Sequence, residues 1–592
     1  MHTKHFFSDP NQLVISALKS FVITNPSLAF DQEDKIIFRR SGAVPQSRVS
    51  IISGGGSGHE PAFAGLVGKG LLTASVAGTI FASPSSRQIC KAALECVDTG
   101  MGVLIITMNY TGDMLNFGLA AEKARLTGKK VKFLSVGDDV GVGRLKSGSV
   151  GRRGICGTVL TVKIAGALAE TGASLDEVYR VANLVSENLV SLGASLDQVH
   201  VPGRAIFPAT IPPDEVEVGV GIHNESGSCR LKNGDLSRLI DLLLLQLLDE
   251  NDQDRNYIRR QPDDDFVLLI NNLGGLSPLE LAGIVTEVCS KLDTKYSIRP
   301  VRTIHGTFLT SLNAPGFNIS LLRIVDTGLG EGKSLLDLLD APAEAVGWTS
   351  PITSSTWKAF SSNAPAGFTS SPSVEHSASN LRVDYETLSK CLSGGLRSII
   401  AAEPSIIHFD TIVGDGDCGV GLKRGAEAVL ELMQKHVSKD THIDIVYILS
   451  NITGVVERTM DGTSGAVYAI FLNSLTNGVR EQDTTFSSRI TVKTWTDALD
   501  YALSTLLKYT PAKIGDRTLM DTLIPFCKTL VESENIHTAI HAARDGTEAT
   551  KNMRPKLGRS VYVGSEERWL GKIPDPGAYG LFEFLNGLAG SL

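Results

Sequence analysis

At 592 residues the chain is too long for a single hydrophobic core and holds two or more domains. Its 42% hydrophobic and 20% charged residues are those of an ordinary globular protein, and a formal net charge of −8 excludes a general attraction to nucleic acid or anionic membranes. The 8 cysteines form no CxxC pair, the start MHTKHFFSDP lacks a basic-then-apolar leader, and the run IDLLLLQLLDE at 240 to 250 is too short to span a bilayer; together these predict a cytoplasmic protein with reduced thiols.

The first predicted strand, VSIISGG at 49 to 55, runs into SGGGSGHEPA at 53 to 62. This glycine-rich segment lacks the Lys-Ser or Lys-Thr ending of a P-loop and the last glycine of a dinucleotide fingerprint. It carries His59, which beside glycines can exchange a proton close to a small ligand, although a lone histidine is more often structural. A helix is predicted at 87 to 97, then a strand, VLIITMNY at 103 to 110, which leads into NYTGDMLNFG and supplies Asp113. In open α/β sheets ligands collect at the carboxyl ends of strands, so His59 and Asp113 are expected to face one pocket; the alternative for Asp113 is a plain turn. Further strands are predicted at 131 to 139, 216 to 224, 264 to 275 and 320 to 326, and a helix at 157 to 172. The segment VGVGIHNESG at 218 to 227 brackets His223 with glycines, Asn224 and Glu225, and the residues alone leave base, metal ligand and nucleophile open for it. GLGEGKSL at 328 to 335 is one residue short of P-loop spacing and reads as a turn. Strands alternating with helices predict an α/β domain with a largely parallel sheet over residues 1 to 349.

From 350 to 380 the chain is rich in Ser, Ala, Pro and Thr, the composition of a flexible linker. Long amphipathic segments follow, for example at 384 to 403 and 517 to 534, and predict a nearly all-helical domain over 381 to 592. Within it FDTIVGDGDCGVG, 409 to 421, sets Asp410, Asp415 and Asp417 among glycines. Three carboxylates in one tight loop repel unless water or a cation lies between them, so the segment is a solvated acidic turn or a hard-cation site.

SGGGSGHEPA, NYTGDMLNFG and VGVGIHNESG, followed by FDTIVGDGDCG, MDGTSGA at 460 to 466, IGDRTLMD at 514 to 521 and DPGA at 575 to 578, resemble the single-chain ATP-dependent dihydroxyacetone kinases nearly end to end. The resemblance implies an α/β domain that binds a short ketone or aldehyde sugar, joined to an all-helical nucleotide-binding barrel. It implies that His223 holds the substrate carbonyl as a hemiaminal, that Gly56, Ser57, Gly58 and His59 form the substrate loop, and that His59 and Asp113 handle the proton of the attacking hydroxyl. Asp410, Asp415 and Asp417 match the family's Mg2+-binding aspartates. Gly416, Cys418, Thr463, Ser464, Thr518, Leu519, Arg559, Asp575, Pro576 and Gly577, with Asp415 and Asp417, match positions around ATP. Cys418 stands where some relatives have histidine, which implies packing, and Met108 stands where the family usually has lysine, which implies weaker substrate affinity. The implied reaction is ATP-dependent phosphorylation of dihydroxyacetone, with glyceraldehyde as a second acceptor, in a domain-exchanged homodimer. Cyclisation of FAD to cyclic FMN and a ketone-binding regulator without full activity are the alternatives.

Overall fold

The computed structural model describes residues 3–40, 48–148, 150–204, 211–232, 234–350, 352–360, 379–414, 416–435, 442–460, 462–483, 490–557, 559–562 and 566–592. The chain divides into two compact units, residues 1–367 and 368–592.

The first unit contains two six-stranded sheets. The strands of the first are β1 (Leu28–Asp31), β2 (Ile36–Arg39), β3 (Ser50–Ser57), β4 (Ala74–Ile80), β5 (Val103–Met108) and β6 (Val131–Val136), in the order β1-β2-β4-β3-β5-β6. Its centre is parallel, β4-β3-β5-β6, and only β1 and β2 run against their neighbours. The second sheet comprises β7 (Leu189–Ser195), β8 (Glu215–Val218), β9 (Cys229–Lys232), β10 (Phe266–Asn272), β11 (Arg302–Gly306) and β12 (Gly316–Arg323), in the order β11-β10-β12-β7-β8-β9. Here only β10 and β11 are parallel, which corrects the expectation of largely parallel sheet. Apolar runs reveal that a strand is buried but carry no sign of its direction.

Burial orders these elements into layers. On β5, Val103 and Ile105 pack with the helices Ser86–Glu95 and Thr111–Leu126, whereas Leu104, Ile106 and Met108 face the opposite core. A strand covered on both faces is apolar at every position, as VLIITM is. The same inner core holds Val267 and Leu269 of β10 and the helices Thr158–Glu170 and Leu175–Glu187, so these helices lie between the sheets. Residues 158 to 169 of the first are buried on all sides, as a predominantly apolar helix requires, with Lys163 the one charged side chain among them. The far face of the second sheet, through Leu268, Ile270 and Ile319, packs on the helices Leu236–Leu248 and Pro278–Tyr296.

The Ser/Ala/Pro-rich stretch begins with a helix, Ser354–Phe360, whose Trp357 ring lies 5.3 Å from the Arg302 guanidinium; residues 361–378 are outside the described ones. Among the described residues of the second unit, the long helices are Tyr385–Val413, Cys418–Lys435, Ile445–Thr459, Gly462–Arg480, Val492–Leu506, Met520–Ser533, Ile536–Ala549 and Pro576–Ala589. Each packs on the next, and the last packs against the first. Leu396, Val429, Ile452, Phe471, Trp495 and Leu523 line an apolar cavity of about 590 Å3 among them. A short antiparallel pair, β13 (Arg382–Asp384) with β14 (His442–Asp444), precedes two of the helices. No helix among the described residues is long and apolar enough to cross a membrane, and all eight cysteines are free.

Candidate active site

In the first unit, two glycine-bearing loops and one antiparallel turn bring the predicted residues together. His59 follows the carboxyl end of β3, Asp113 lies in the first turn of the helix after β5, and His223 follows β8 of the other sheet. The segment 310–312 ties the two sheets' loops: Thr310 N–H donates to the His59 carbonyl at 3.1 Å, Leu312 N–H to the Gly58 carbonyl at 2.7 Å, and the Ser311 hydroxyl to the Ile222 carbonyl at 2.6 Å. The relative position of His59 and His223 is therefore set by two backbone hydrogen bonds on one side and the Ser311 hydroxyl on the other.

The two imidazoles meet at their Nε2 atoms, 3.0 Å apart, with ring planes at 82°. His59 Nδ1 lies 2.8 Å from the Thr310 carbonyl, so Nδ1 carries the proton. On the far side of His223, Nδ1 is 3.1 Å from Glu225 Oε1, and His223 N–H donates to Glu225 Oε2 at 2.7 Å. Donors at both Nδ1 atoms leave the two Nε2 atoms as the open nitrogens of the pair. Burial, reinforced by His223, pushes His59 down to about 3. Burial acts to raise Glu225, but the His223 side chain and backbone N–H outweigh it and hold the carboxyl at about 2.

Aromatic rings enclose this pair. Phe81 stacks on His59 with centroids 5.2 Å apart and meets His223 edge-on at 5.2 Å, while Tyr110 meets His223 edge-on at 4.7 Å. Phe81 has φ +60°, a conformation that a bulky residue keeps only where its surroundings hold it. Gly58 permits the stack, since its φ is +100° and a Cβ there would lie 2.8 Å from the Phe81 ring. The Tyr110 hydroxyl is buried with no hydrogen-bond partner among the described residues.

Asp113 is buried, and its Oδ1 is likewise unpartnered among the described residues. Burial pushes its carboxyl up to about 6, against the Ser83 hydroxyl and His223, which lower it. Both carboxylate oxygens lie within 4 Å of where a Cβ on Gly55 would stand, so Asp113 faces the same glycine loop as His59. Met108 sits in the apolar core with Leu104 and Ile106 and offers no polar contact. Of the remaining loop residues, Ser57 is spent internally, its hydroxyl donating to the Gly78 carbonyl at 2.9 Å, while Gly56 faces the backbone of Phe81 and Ala82. Phe81, Ser83, Tyr110, Arg153 and Thr310 received no role from the sequence; only Glu225, two residues beyond His223, carried a local signal.

In the second unit the acidic segment is not one loop. Asp410 belongs to the last turn of the helix Tyr385–Val413, and Cys418 opens the next helix, leaving residues 414 to 417 as the connection. Asp410 Oδ2 accepts from Cys418 N–H at 3.0 Å; Asp417 is exposed, and Asp415 lies outside the described residues. Thr463 and Ser464 form the first turn of Gly462–Arg480. Asp575 caps Pro576–Ala589 by accepting from Ala578 N–H at 2.9 Å, and Gly577 lies against Leu519, which opens Met520–Ser533. Thr518 N–H and Gly515 N–H donate to Asp521. Arg559 begins a short 3-10 turn, and its side chain is outside the described residues.

Electrostatics join these pieces. Burial pushes Asp575 up to about 6, with Asp521 and Asp410 adding to the rise against Arg517 and the Ala578 N–H. Burial also pushes the Cys418 thiol up to about 12, reinforced by Asp410, Asp575 and Asp417. Carboxylates thus accumulate where a hard divalent cation would be held by oxygen ligands, so the donor set fits Mg2+. Among the described residues no three metal-ligating side chains converge on one point, and Asp415 is not among them.

Comparison with known proteins agrees with this division. The Dak1 domain model matches residues 19–347 and the DAK2 domain model residues 412–590. Dihydroxyacetone kinase 2 of Saccharomyces cerevisiae is 42% identical over 99% of both chains. Triokinase/FMN cyclase of Homo sapiens is 34% identical over 95% of this chain and 94% of its own. The crystal structure of the dihydroxyacetone kinase from C. freundii in complex with AMP-PNP and Mg2+ superposes with a TM-score of 0.61 at 29% identity, covering 100% of both chains. Matched through both units and along its whole length, the chain belongs to the single-chain ATP-dependent dihydroxyacetone kinases.

Proposed function

We propose that the chain transfers the γ-phosphoryl group of ATP to a primary hydroxyl of dihydroxyacetone, with glyceraldehyde as a second acceptor, while His223 holds the substrate as a hemiaminal. In the covalent step His223 Nε2 bonds to the carbonyl carbon, the C=O π bond opens onto oxygen, and that oxygen takes up a proton from solvent, leaving an imidazolium whose Nδ1–H faces Glu225. This fixes the substrate so that its distal hydroxyl faces Asp113. Asp113, with His59 beside it, accepts the hydroxyl proton as the oxygen attacks phosphorus and ADP leaves.

Asp410, Asp415 and Asp417 would hold Mg2+, which neutralises charge on the transferring phosphoryl group when bound. Thr463 and Ser464 at a helix N-terminus, with Gly416, Cys418, Thr518, Leu519, Arg559, Asp575, Pro576 and Gly577, would receive ATP. The relative bound to AMP-PNP and Mg2+ supports this assignment. The sequential packing of the second unit's helices supports a closed barrel. Residues 1–349 and 381–592 act as substrate and nucleotide domains, with 350–380 as the tether of a domain-exchanged homodimer in the cytoplasm.

The observation that carries the reading is the 3.0 Å approach of the His59 and His223 Nε2 atoms between two sheets. ADP release measured with dihydroxyacetone, glyceraldehyde, glycerol and no acceptor tests it: turnover is expected with the two carbonyl compounds and far less with glycerol. Equal turnover of glycerol and dihydroxyacetone would refute it. The identity with a triokinase/FMN cyclase motivates one further arm, FAD with Mn2+, in which cyclic FMN would add a second activity.

A further inference from the structure

We propose that Glu225 is a positioning residue that fixes the proton of His223 on Nδ1 and so leaves Nε2 to meet the substrate carbonyl, with Gly221 kept side-chain-free to admit it. The inference rests on the hemiaminal reading of His223. A neutral imidazole carries one proton, and the hydrogen bond at one ring nitrogen decides which nitrogen is left to react.

Glu225 engages His223 twice, at the ring Nδ1 (3.1 Å) and at the backbone N–H (2.7 Å), so its carboxylate fixes the ring against its own main chain. The turn between them makes this possible. Asn224 has φ +64°, and its side-chain amide pairs with both backbone groups of Val199, accepting at 2.9 Å and donating at 2.9 Å. The left-handed residue, pinned in this way, folds side chain 225 back onto residue 223. Behind the carboxylate stands Arg153, itself held by Asp139 at 2.7 Å and by the Gly219 carbonyl at 2.8 Å. Glu225 Oε2 and Arg153 Nη1 converge on the space over Gly221, where a Cβ would lie 2.1 Å from the first and 2.6 Å from the second. Phe81 and Tyr110 meet the imidazole edge-on, at 5.2 and 4.7 Å between centroids.

Glutamine at 225 cannot reproduce this contact, because it has one accepting and one donating end. If its oxygen keeps the backbone N–H, its amide faces Nδ1 and draws the proton to Nε2, blocking the reacting nitrogen. Gly221→Ala reaches the same end from the other side. The atoms nearest its Cβ belong to the Glu225 and Arg153 side chains rather than to backbone, so the variant displaces Glu225 first.

The test uses the full chain as wild type, Glu225→Gln and Gly221→Ala, each checked for folding by circular dichroism. Nitrogen-15 NMR of histidine-labelled protein should show His223 protonated at Nδ1 in the wild type and a shift toward the Nε2-protonated tautomer in both variants. The KM for dihydroxyacetone should rise on the order of 10–100-fold, the size typical of losing a carboxylate that orients a histidine. The loss should fall on KM more than on kcat. Unchanged tautomer and KM in a folded Gly221→Ala or Glu225→Gln would overturn the inference while leaving the hemiaminal intact. Absence of any adduct in the wild type, with carbonyl-labelled substrate, would overturn the hemiaminal reading and this inference with it.

Discussion

Asp113→Asn should make the substrate unit more stable at pH 8 even as it disables the enzyme. The carboxyl is 4% exposed, and burial lifts it from 3.8 to about 6, so ionising it in the fold is opposed. Its folded-state value exceeds the unfolded one, and the folded chain therefore binds the proton more tightly. The stabilisation this gives is full below about 3.8 and is lost as the pH rises through about 6. At 1.36 kcal/mol per pH unit the difference amounts to about 3 kcal/mol, and allowing for imperfect fit of the amide the variant should gain about 1–3 kcal/mol at pH 8. Urea unfolding of wild type and variant, followed in parallel at pH 8 and pH 4, reads this directly. The advantage of asparagine should be present at pH 8 and nearly absent at pH 4. A variant less stable than wild type at pH 8, or an advantage independent of pH, would refute the account of a carboxylate kept ionisable at a cost in stability.

Asp410→Asn or Asp417→Asn should abolish Mg-ATP-dependent turnover while dihydroxyacetone binding, measured calorimetrically, stays unchanged; normal activity at ordinary Mg2+ would reduce the segment to an acidic turn. Lys163 is fully buried and donates at 2.8 Å to the Leu338 carbonyl, and burial pushes it down to about 8. Its depressed value means that wild-type stability rises with pH between about 8 and 10.5. Lys163→Met should remove that rise and stabilise the unit by about 1–2 kcal/mol at pH 7, once the lost hydrogen bond is counted. Denaturant titrations across pH check both.

Much of this architecture was legible because its causes are local. VLIITM announces a strand buried on both faces, and the loops after β3 and β5 are expected to face one pocket because ligands collect at the carboxyl ends of strands. What was not legible depends on distant partners. Thr310 orients His59 from 251 positions away, and no local pattern marks it. Phe81 and Tyr110 carry no local signal of their edge-on contact with His223, which the fold alone creates. The direction of the strands in the second sheet is settled by connections, not by periodicity. The helix Tyr385–Val413 runs past the amphipathic segment 384 to 403 and through Pro404, because Ile399, Ala402, Ile406 and Val413 keep one buried stripe that outweighs the missing N–H. That continuation moves Asp410 from a loop onto a helix, whose last turn sets its carboxylate against the Cys418 N–H beside Asp417. Glu225 was visible as a residue but not as a partner, since only the left-handed Asn224 turns it toward the ring.

The central claim is that His223 Nε2 becomes covalently joined to the substrate carbonyl. The most direct measurement is carbon-13 NMR of full-length protein, labelled with nitrogen-15 in histidine and saturated with dihydroxyacetone labelled at the carbonyl. The account predicts that the ketone signal gives way to a tetrahedral carbon coupled to nitrogen-15, and that His223→Ala lacks this signal while wild type shows it. A free ketone signal persisting in the saturated wild-type complex, or a tetrahedral carbon without nitrogen coupling, would contradict the account and return His223 to a hydrogen-bonding role.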